Sequence, residues 1–216
     1  MKKFIAVAGN IGVGKSTLVG KLCERFGWEP YYEPVAENPY LKDFYEDMQG
    51  WAFHSQVFFI THRLRSHREL LLHPTSVVQD RTVYEDAEIF ARNLYQQGQI
   101  KERDYQTYQN LYGLLVDMLS PPDLVLYLRA SVPTLVERIA DRARQMESGI
   151  QPEYLEQLNG LYEDWIERFT LCPVLEVPAD RLNYVDNQAH LDLIAQKVQQ
   201  KLSGREQVEF APEEVA

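Results

Sequence analysis

The chain is short of cysteine, of basic charge and of long apolar runs, and each shortage removes a class of protein. Its two cysteines, Cys23 and Cys172, stand far apart without metal-ligand spacing. They read as two buried or half-buried thiols, and neither as a disulfide framework nor as a zinc site. Against 32 acidic side chains there are 22 basic ones, a formal net charge of −10. A surface that acidic is a poor general binder of nucleic acid, whose phosphates demand cations. It can still hold phosphate where its cations gather in one cleft. The longest apolar stretches, Phe4 to Ala8 and Leu124 to Leu128, are strand-sized and too short to cross a bilayer. Only Met1, Lys2 and Lys3 precede the first of them, without the apolar region and cleavage site of a signal peptide. A cytoplasmic address is therefore expected.

What is present reads as one globular unit. With 45% hydrophobic and 25% charged residues over 216 positions, a single large domain is favoured over two cores. Short apolar runs alternate with amphipathic stretches. Phe4 to Ala8 reads as a buried strand and Lys15 to Phe26 as the helix after it. A second strand ends near Tyr32 and Glu33, and Ser76 to Gln79, Asp123 to Leu128 and Val174 to Val177 supply three more. Helical spacing covers Trp51 to Leu72, Glu85 to Tyr95, Arg103 to Leu119, Val132 to Arg144, Pro152 to Phe169 and His190 to Leu202. Such alternation predicts an α/β fold of three layers, a five-stranded parallel sheet flanked by helices. The domain is expected over residues 1–202. The acidic segment from Ser203 to Ala216 is expected to fray.

The strongest motif lies directly after the first strand. Gly9-Asn10-Ile11-Gly12-Val13-Gly14-Lys15-Ser16 matches G-x-x-x-x-G-K-[ST] and opens a helix, with Thr17 following. The glycines let the backbone curl its N–H groups around an anion, and the helix N-terminus adds partial positive charge. Lys15 can reach the β- and γ-phosphates, and the Ser16 hydroxyl can ligate Mg²⁺. A chance match in a chain this long has a probability of about 1%. The competing reading is a glycine-rich turn whose lysine merely faces solvent.

A phosphate loop alone does not separate a kinase from a GTPase, but the N-K-x-D segment of a Ras-like GTPase is absent, and Leu128-Arg129-Ala130-Ser131 stands after the fourth strand. A small-molecule kinase needs a base for the acceptor hydroxyl, arginines for the moving phosphoryl group and a closing lid. Glu33 and Asp80-Arg81 fall at the ends of the second and third strands, which face the ligand crevice in such sheets. Arg138, Arg142 and Arg144 cluster within a stretch, about 138–150, that suits a lid. Each has a plainer alternative: a solvated turn for Glu33, a structural ion pair for Asp80 and Arg81, a wet helix face for the arginines.

Taken together, the residues resemble the deoxyribonucleoside kinase family over nearly the whole chain, from about Phe4 to Leu202. The ordered set is the phosphate loop, Glu33-Pro34-Val35, Phe44-Tyr45, Trp51-x-Phe53-x-x-Gln56 and Asp80-Arg81-Thr82-x-Tyr84. It continues with Arg138-x-x-x-Arg142-x-Arg144-x-x-Glu147 and Pro152-Glu153-Tyr154-Leu155 beside Leu158-Asn159. The resemblance implies a P-loop kinase fold and transfer from Mg-ATP to a nucleoside 5′-hydroxyl. Glu33 would be the general base, Arg81 would stabilise the transferring phosphoryl group, and Asp80 would help organise magnesium. The family usually has Glu-Arg-Ser where Asp80-Arg81-Thr82 stands, which keeps the functional groups and shortens the carboxylate. Tyr45 and Glu147 would hold the sugar 3′-hydroxyl, Gln56 would pair with the base edge, and Trp51, Phe53 and Phe90 would wall the base pocket. For those aromatics, plain core packing is the alternative. Arg142 and Arg144, with Arg138 beside them, would close over the phosphates, and Pro178 to Leu182 corresponds loosely to the loop on the ATP adenine.

The base is read from a pair. Arg63 falls about two helical turns after Gln56, so both can reach one pocket, and Asp86 follows shortly after Asp80-Arg81-Thr82. Family members accepting deoxyadenosine, deoxyguanosine or deoxycytidine resemble the chain in an Arg and an Asp here, where thymidine-preferring members have uncharged residues. A buried pair costs desolvation, so it suggests base reading, with a salt bridge between helices as the alternative. Deoxyadenosine is expected first, then deoxyguanosine, then deoxycytidine, with bacterial members as the nearest likeness. Two rivals remain. A nucleoside-monophosphate kinase such as thymidylate kinase would need more arginines where Glu33 stands. A non-catalytic P-loop-derived subunit would have no need of Lys15, Glu33 or Arg81. The resemblance further implies a homodimer built on the helices at 51–72 and 103–119, and no nucleic-acid or membrane partner.

Overall fold

The computed structural model describes residues 1–32, 38–142, 149–205 and 208–215. Five parallel strands make its sheet: β1 (Phe4–Gly9), β2 (Glu29–Tyr31), β3 (Val77–Asp80), β4 (Leu124–Arg129) and β5 (Val174–Pro178), in the order β2-β3-β1-β4-β5. β1 lies at the centre, with Ile5 opposite Val78 on one side and Leu124 on the other. Successive strand residues point to opposite faces. Ile5 and Val7 therefore join one apolar layer, with Leu124, Leu126 and Leu128, while Ala6 and Ala8 join the other, with Val125 and Tyr127.

Helices cover both faces, as the alternating pattern predicts. On the first pack α1 (Lys15–Phe26), α7 (Val132–Arg142) and α9 (Gln188–Leu202); against the second lie α3 (Met48–Leu72), α6 (Glu102–Met118) and most of α8 (Pro152–Arg168). A short α2 (Leu41–Glu46), which the sequence reading did not contain, packs Leu41 and Phe44 onto Ala52 of α3. The helix expected from Glu85 to Tyr95 is three pieces in succession. One turn, α4 (Val83–Glu85), leads into a π-turn over Asp86–Ala91 and then α5 (Arg92–Gln96).

Of the described residues after Leu202, Val208 and Val215 are buried in the first apolar layer, and Glu214 pairs with Lys197 of α9 at 2.7 Å. Both cysteines are free thiols. Burial raises the pKa of each to about 12, so neither is a poised nucleophile. Among the described residues no helix is long and apolar enough to cross a membrane.

Candidate active site

All five strands end on the same side, and the crevice beyond their carboxyl ends is where an open parallel sheet offers ligands a floor. The phosphate loop leaves β1 there. Gly12 has φ +80°, and a Cβ on it would stand 2.7 Å from Ile139 Cγ1 and 3.0 Å from the Leu135 carbonyl of α7; Gly14, at φ +101°, is roofed by the Tyr184 hydroxyl. Only glycine fits such positions. Gly14 is also the N-cap of α1 and brings no side-chain cap, which leaves the first amides of the helix available to an anion. Lys15 is buried, its Nζ donating to the Gly9 and Asn10 carbonyls at 2.9 Å each.

Not every loop residue faces the crevice. Ile11, Gly12, Gly14, Lys15, Ser16 and Thr17 line it. The Asn10 side chain instead donates to the Leu155 carbonyl (2.9 Å) and to Asn159 Oδ1 (2.8 Å) of α8, and Val13 is core. Arg138 reaches the cleft, but its guanidinium donates to the carbonyls of Val13 (2.9 Å) and Ala179 (2.7 Å). It braces the phosphate loop against the segment after β5. Arg142 lines the cleft too. Arg144 and Glu147 lie outside the described residues, as does Glu33, although Tyr32 just before it lines the cleft.

Next to the loop, β3 delivers a carboxylate and a guanidinium. Asp80 is buried; its Oδ2 accepts from Ser16 Oγ at 2.5 Å, and its Oδ1 is buried without a protein partner. One hydroxyl and one carboxylate, with one of its oxygens orphaned, suit Mg²⁺, which draws its remaining ligands from phosphates and water. Among the described residues no cluster of three or more His, Cys, Asp or Glu could hold an ion by itself. Arg81 follows with φ +67°, its Cζ 4.1 Å from the centroid of the Phe90 ring. Thr82 and Glu85 then form a capping box that starts α4.

The other end of the crevice is apolar with a few polar groups, as small-molecule sites are. Leu41, Phe44, Tyr45, Met48, Phe59, Phe90, Leu94 and Tyr154 line it together with Gln56 and Asp86. Gln56 is buried and its Oε1 has no partner. Asp86 is held from behind by Arg63, whose Nε donates to Asp86 Oδ2 at 2.9 Å while another guanidinium nitrogen donates to the Asp80 carbonyl at 3.0 Å. Asp86 lines the cleft and Arg63 does not.

Two expected wall residues stand off the lining of the cleft. Trp51 packs on the α2 cluster, with its ring 5.9 Å from that of Tyr40, and Phe53 packs in the second apolar layer; neither lines the cleft. Phe59 takes the place they were given. At about 100° per residue, Phe53 and Phe59 sit about 60° to either side of Gln56, and spacing alone does not choose between them. Tyr154, Tyr184 and Glu85 were likewise not singled out as site residues. Glu85 had a readable signal, since Thr82-x-x-Glu85 has the form of a capping box.

The cleft encloses about 1840 Å³. That exceeds the roughly 300–1,000 Å³ of a site for one small ligand, so the phosphate end and the aromatic end can be filled together. A family model described as deoxynucleoside kinase matches residues 5–203. A deoxyadenosine/deoxycytidine kinase of Bacillus subtilis is 35% identical over 198 residues, covering 90% of each chain. A deoxyguanosine kinase of the same organism is 33% identical over 201 residues, covering 91% of this chain and 96% of its own. Among solved structures, a deoxyadenosine kinase from M. mycoides with bound dATP superposes with a TM-score of 0.80 at 32% identity, over 91% of this chain and 99% of that one. The same enzyme with dCMP and a flexible dCDP gives 0.81 at 33% identity, with the same coverage.

Proposed function

The chain belongs to the deoxynucleoside kinase family, and from that premise we propose how its cleft works and which nucleoside it prefers. The triphosphate of ATP rests on the 9–17 loop, where Lys15 exchanges loop carbonyls for β- and γ-oxygens. Arg81 neutralises the charge that builds on the moving phosphoryl group. Glu33 takes the proton of the 5′-hydroxyl, Tyr45 and Glu147 hold the 3′-hydroxyl, and Arg142 and Arg144 close over the phosphates. Arg138, already bonded to two carbonyls, keeps the loop in place. A Mg²⁺ held by Ser16 and Asp80 would supply Lewis-acid neutralisation of the phosphate oxygens.

The preferred acceptor is deoxyadenosine, then deoxyguanosine, then deoxycytidine. One observation sets all three apart from thymidine. The buried Gln56 Oε1 has no partner and the Asp86 carboxylate lines the same cleft. Both are acceptors, and they call for a base with an exocyclic amino group, which thymine lacks. Adenine can also return an acceptor to the amide of Gln56. Arg63 then serves by holding Asp86 ionised and in place. The protein works in the cytoplasm as a homodimer.

The test is turnover with Mg-ATP and equal concentrations of deoxyadenosine, deoxyguanosine, deoxycytidine and thymidine, each monophosphate being quantified. Dominant dAMP is the expected result, with Asp86→Asn narrowing the advantage over thymidine. Dominant dTMP would overturn the base assignment.

A further inference from the structure

Glu85 has no part in the chemistry above and does not line the cleft, yet it is fully buried beneath it. Its Oε1 accepts from the Gly9 amide at 3.2 Å and the Tyr162 hydroxyl at 2.9 Å. Its Oε2 accepts from the Thr82 amide at 2.9 Å and the Thr82 hydroxyl at 3.3 Å. Donors on both oxygens match the ionised, acceptor-only form of a carboxyl. Its pKa is raised by burial, against which the charges of Arg81 and Lys15 and the hydrogen bonds from the Thr82 amide and the Tyr162 hydroxyl act.

The donors come from three different elements. Gly9 begins the phosphate loop, Thr82 directly follows Arg81, and Tyr162 lies on α8, the helix that also receives the Asn10 side chain. We propose that Glu85 is a positioning residue for phosphoryl transfer: one rigid carboxylate, bonded to Gly9 through one oxygen and to Thr82 through the other, sets the spacing between the phosphate loop and Arg81. The backbone of Arg81 supports this independently. A non-glycine residue at φ +67° persists only where its surroundings over-determine it. The capping box on the next residue, anchored through Glu85 to β1 and α8, provides that constraint.

The inference rests on the kinase reading, so the experiment starts with wild-type turnover; its failure would sink that reading and leave Glu85 aside. In Glu85→Gln the side-chain NH₂ must face either the Gly9 N–H or the Thr82 N–H, and neither backbone donor can turn to accept. One anchor is lost whichever way the amide sits. Glu85→Asp keeps the charge and gives up the reach to one of the two. Both variants are expected to lower kcat by about 10²-fold, the scale of a catalytic group displaced by about 1 Å. KM for nucleoside and ATP should stay within about 3-fold of wild type, because only the transition-state interaction is lost. If Glu85→Gln does not fold, Glu85→Asp decides. Wild-type kcat in a folded variant, with the loss confined to KM or to melting temperature, would make Glu85 a structural residue only and overturn the proposal.

Discussion

Arg81 sits in a backbone conformation that costs an L residue about 1–2 kcal/mol, and among the described residues no other non-glycine has positive φ. The cost is set against function, because the turn aims the guanidinium into the cleft and over Phe90. Comparing Arg81→Ala with Arg81→Gly separates the two. Both lose the guanidinium, so both should lose kcat by about 10³-fold or more, the scale of an arginine acting on a transferring phosphoryl group. Glycine carries no penalty at φ +67°, so Arg81→Gly should be the more stable of the pair by about 1 kcal/mol. Denaturant titration measures this; an alanine variant as stable as the glycine variant would mean the strain is absent. The chain order of the residues announced that Arg81 follows a strand into the crevice. It did not announce the positive φ, since neither arginine nor the threonine after it favours that region.

At the scale of the element, α3 shows what periodicity reads and what it misses. The helix starts at Met48, three residues before the expected Trp51, because the Asp47 side chain caps it by accepting from the Gly50 amide at 3.1 Å. Its inner face carries Ala52, Ser55, Gln56, Ile60, Arg63 and His67. Spacing predicted Gln56 and Arg63 on one side, but only tertiary packing turns Phe59 to the cleft and Phe53 away. The helix Lys15–Phe26 was fully legible, for its start is fixed by the phosphate loop and its end by Gly27 at φ +66°. α2 was missed because six residues are too few for a period to show. The π-turn was missed because its extra residue per turn leaves no mark in composition.

The same helix carries a pH-dependent liability. His67 is buried, packed edge-on against Phe4 of β1 at 5.5 Å, and its Nε2 has no partner. Burial lowers its pKa below the ordinary 6.5. The unfolded chain then takes the proton first as pH falls below about 6.5, and stability declines until the folded protein is protonated as well. The lowered carboxyls of Asp180 and Glu214 start from 3.8 and 4.5, so their contribution is lost at lower pH. Melting temperature between pH 7 and pH 5 should therefore fall more steeply in wild type than in His67→Leu. Parallel curves would show that His67 does not carry the dependence.

At the scale of the molecule, the acidic surface and the phosphate-binding cleft coexist because Lys15, Arg81 and Arg142 are gathered at one end of the sheet. The opposite problem is apolar surface left in water. Leu72 is 76% exposed, Leu114 67% and Met118 81%, on α3 and α6, and a groove between these helices is lined by Leu64, Leu71, Leu72, Met118 and Leu119 together with His67 and Arg68. A monomer seldom leaves such a patch open. A second copy of the chain, related by a twofold axis, would cover it with the same patch. Sedimentation should then give about twice the 25.2 kDa of one chain. Leu114→Glu with Met118→Glu would put like charges into the seam and yield a species of single-chain mass. Linkage adds a second signature: the melting temperature of wild type should rise with protein concentration, and that of the double variant should not. A wild-type protein that sediments as a single chain would reassign the patch, and the concentration dependence would vanish with it.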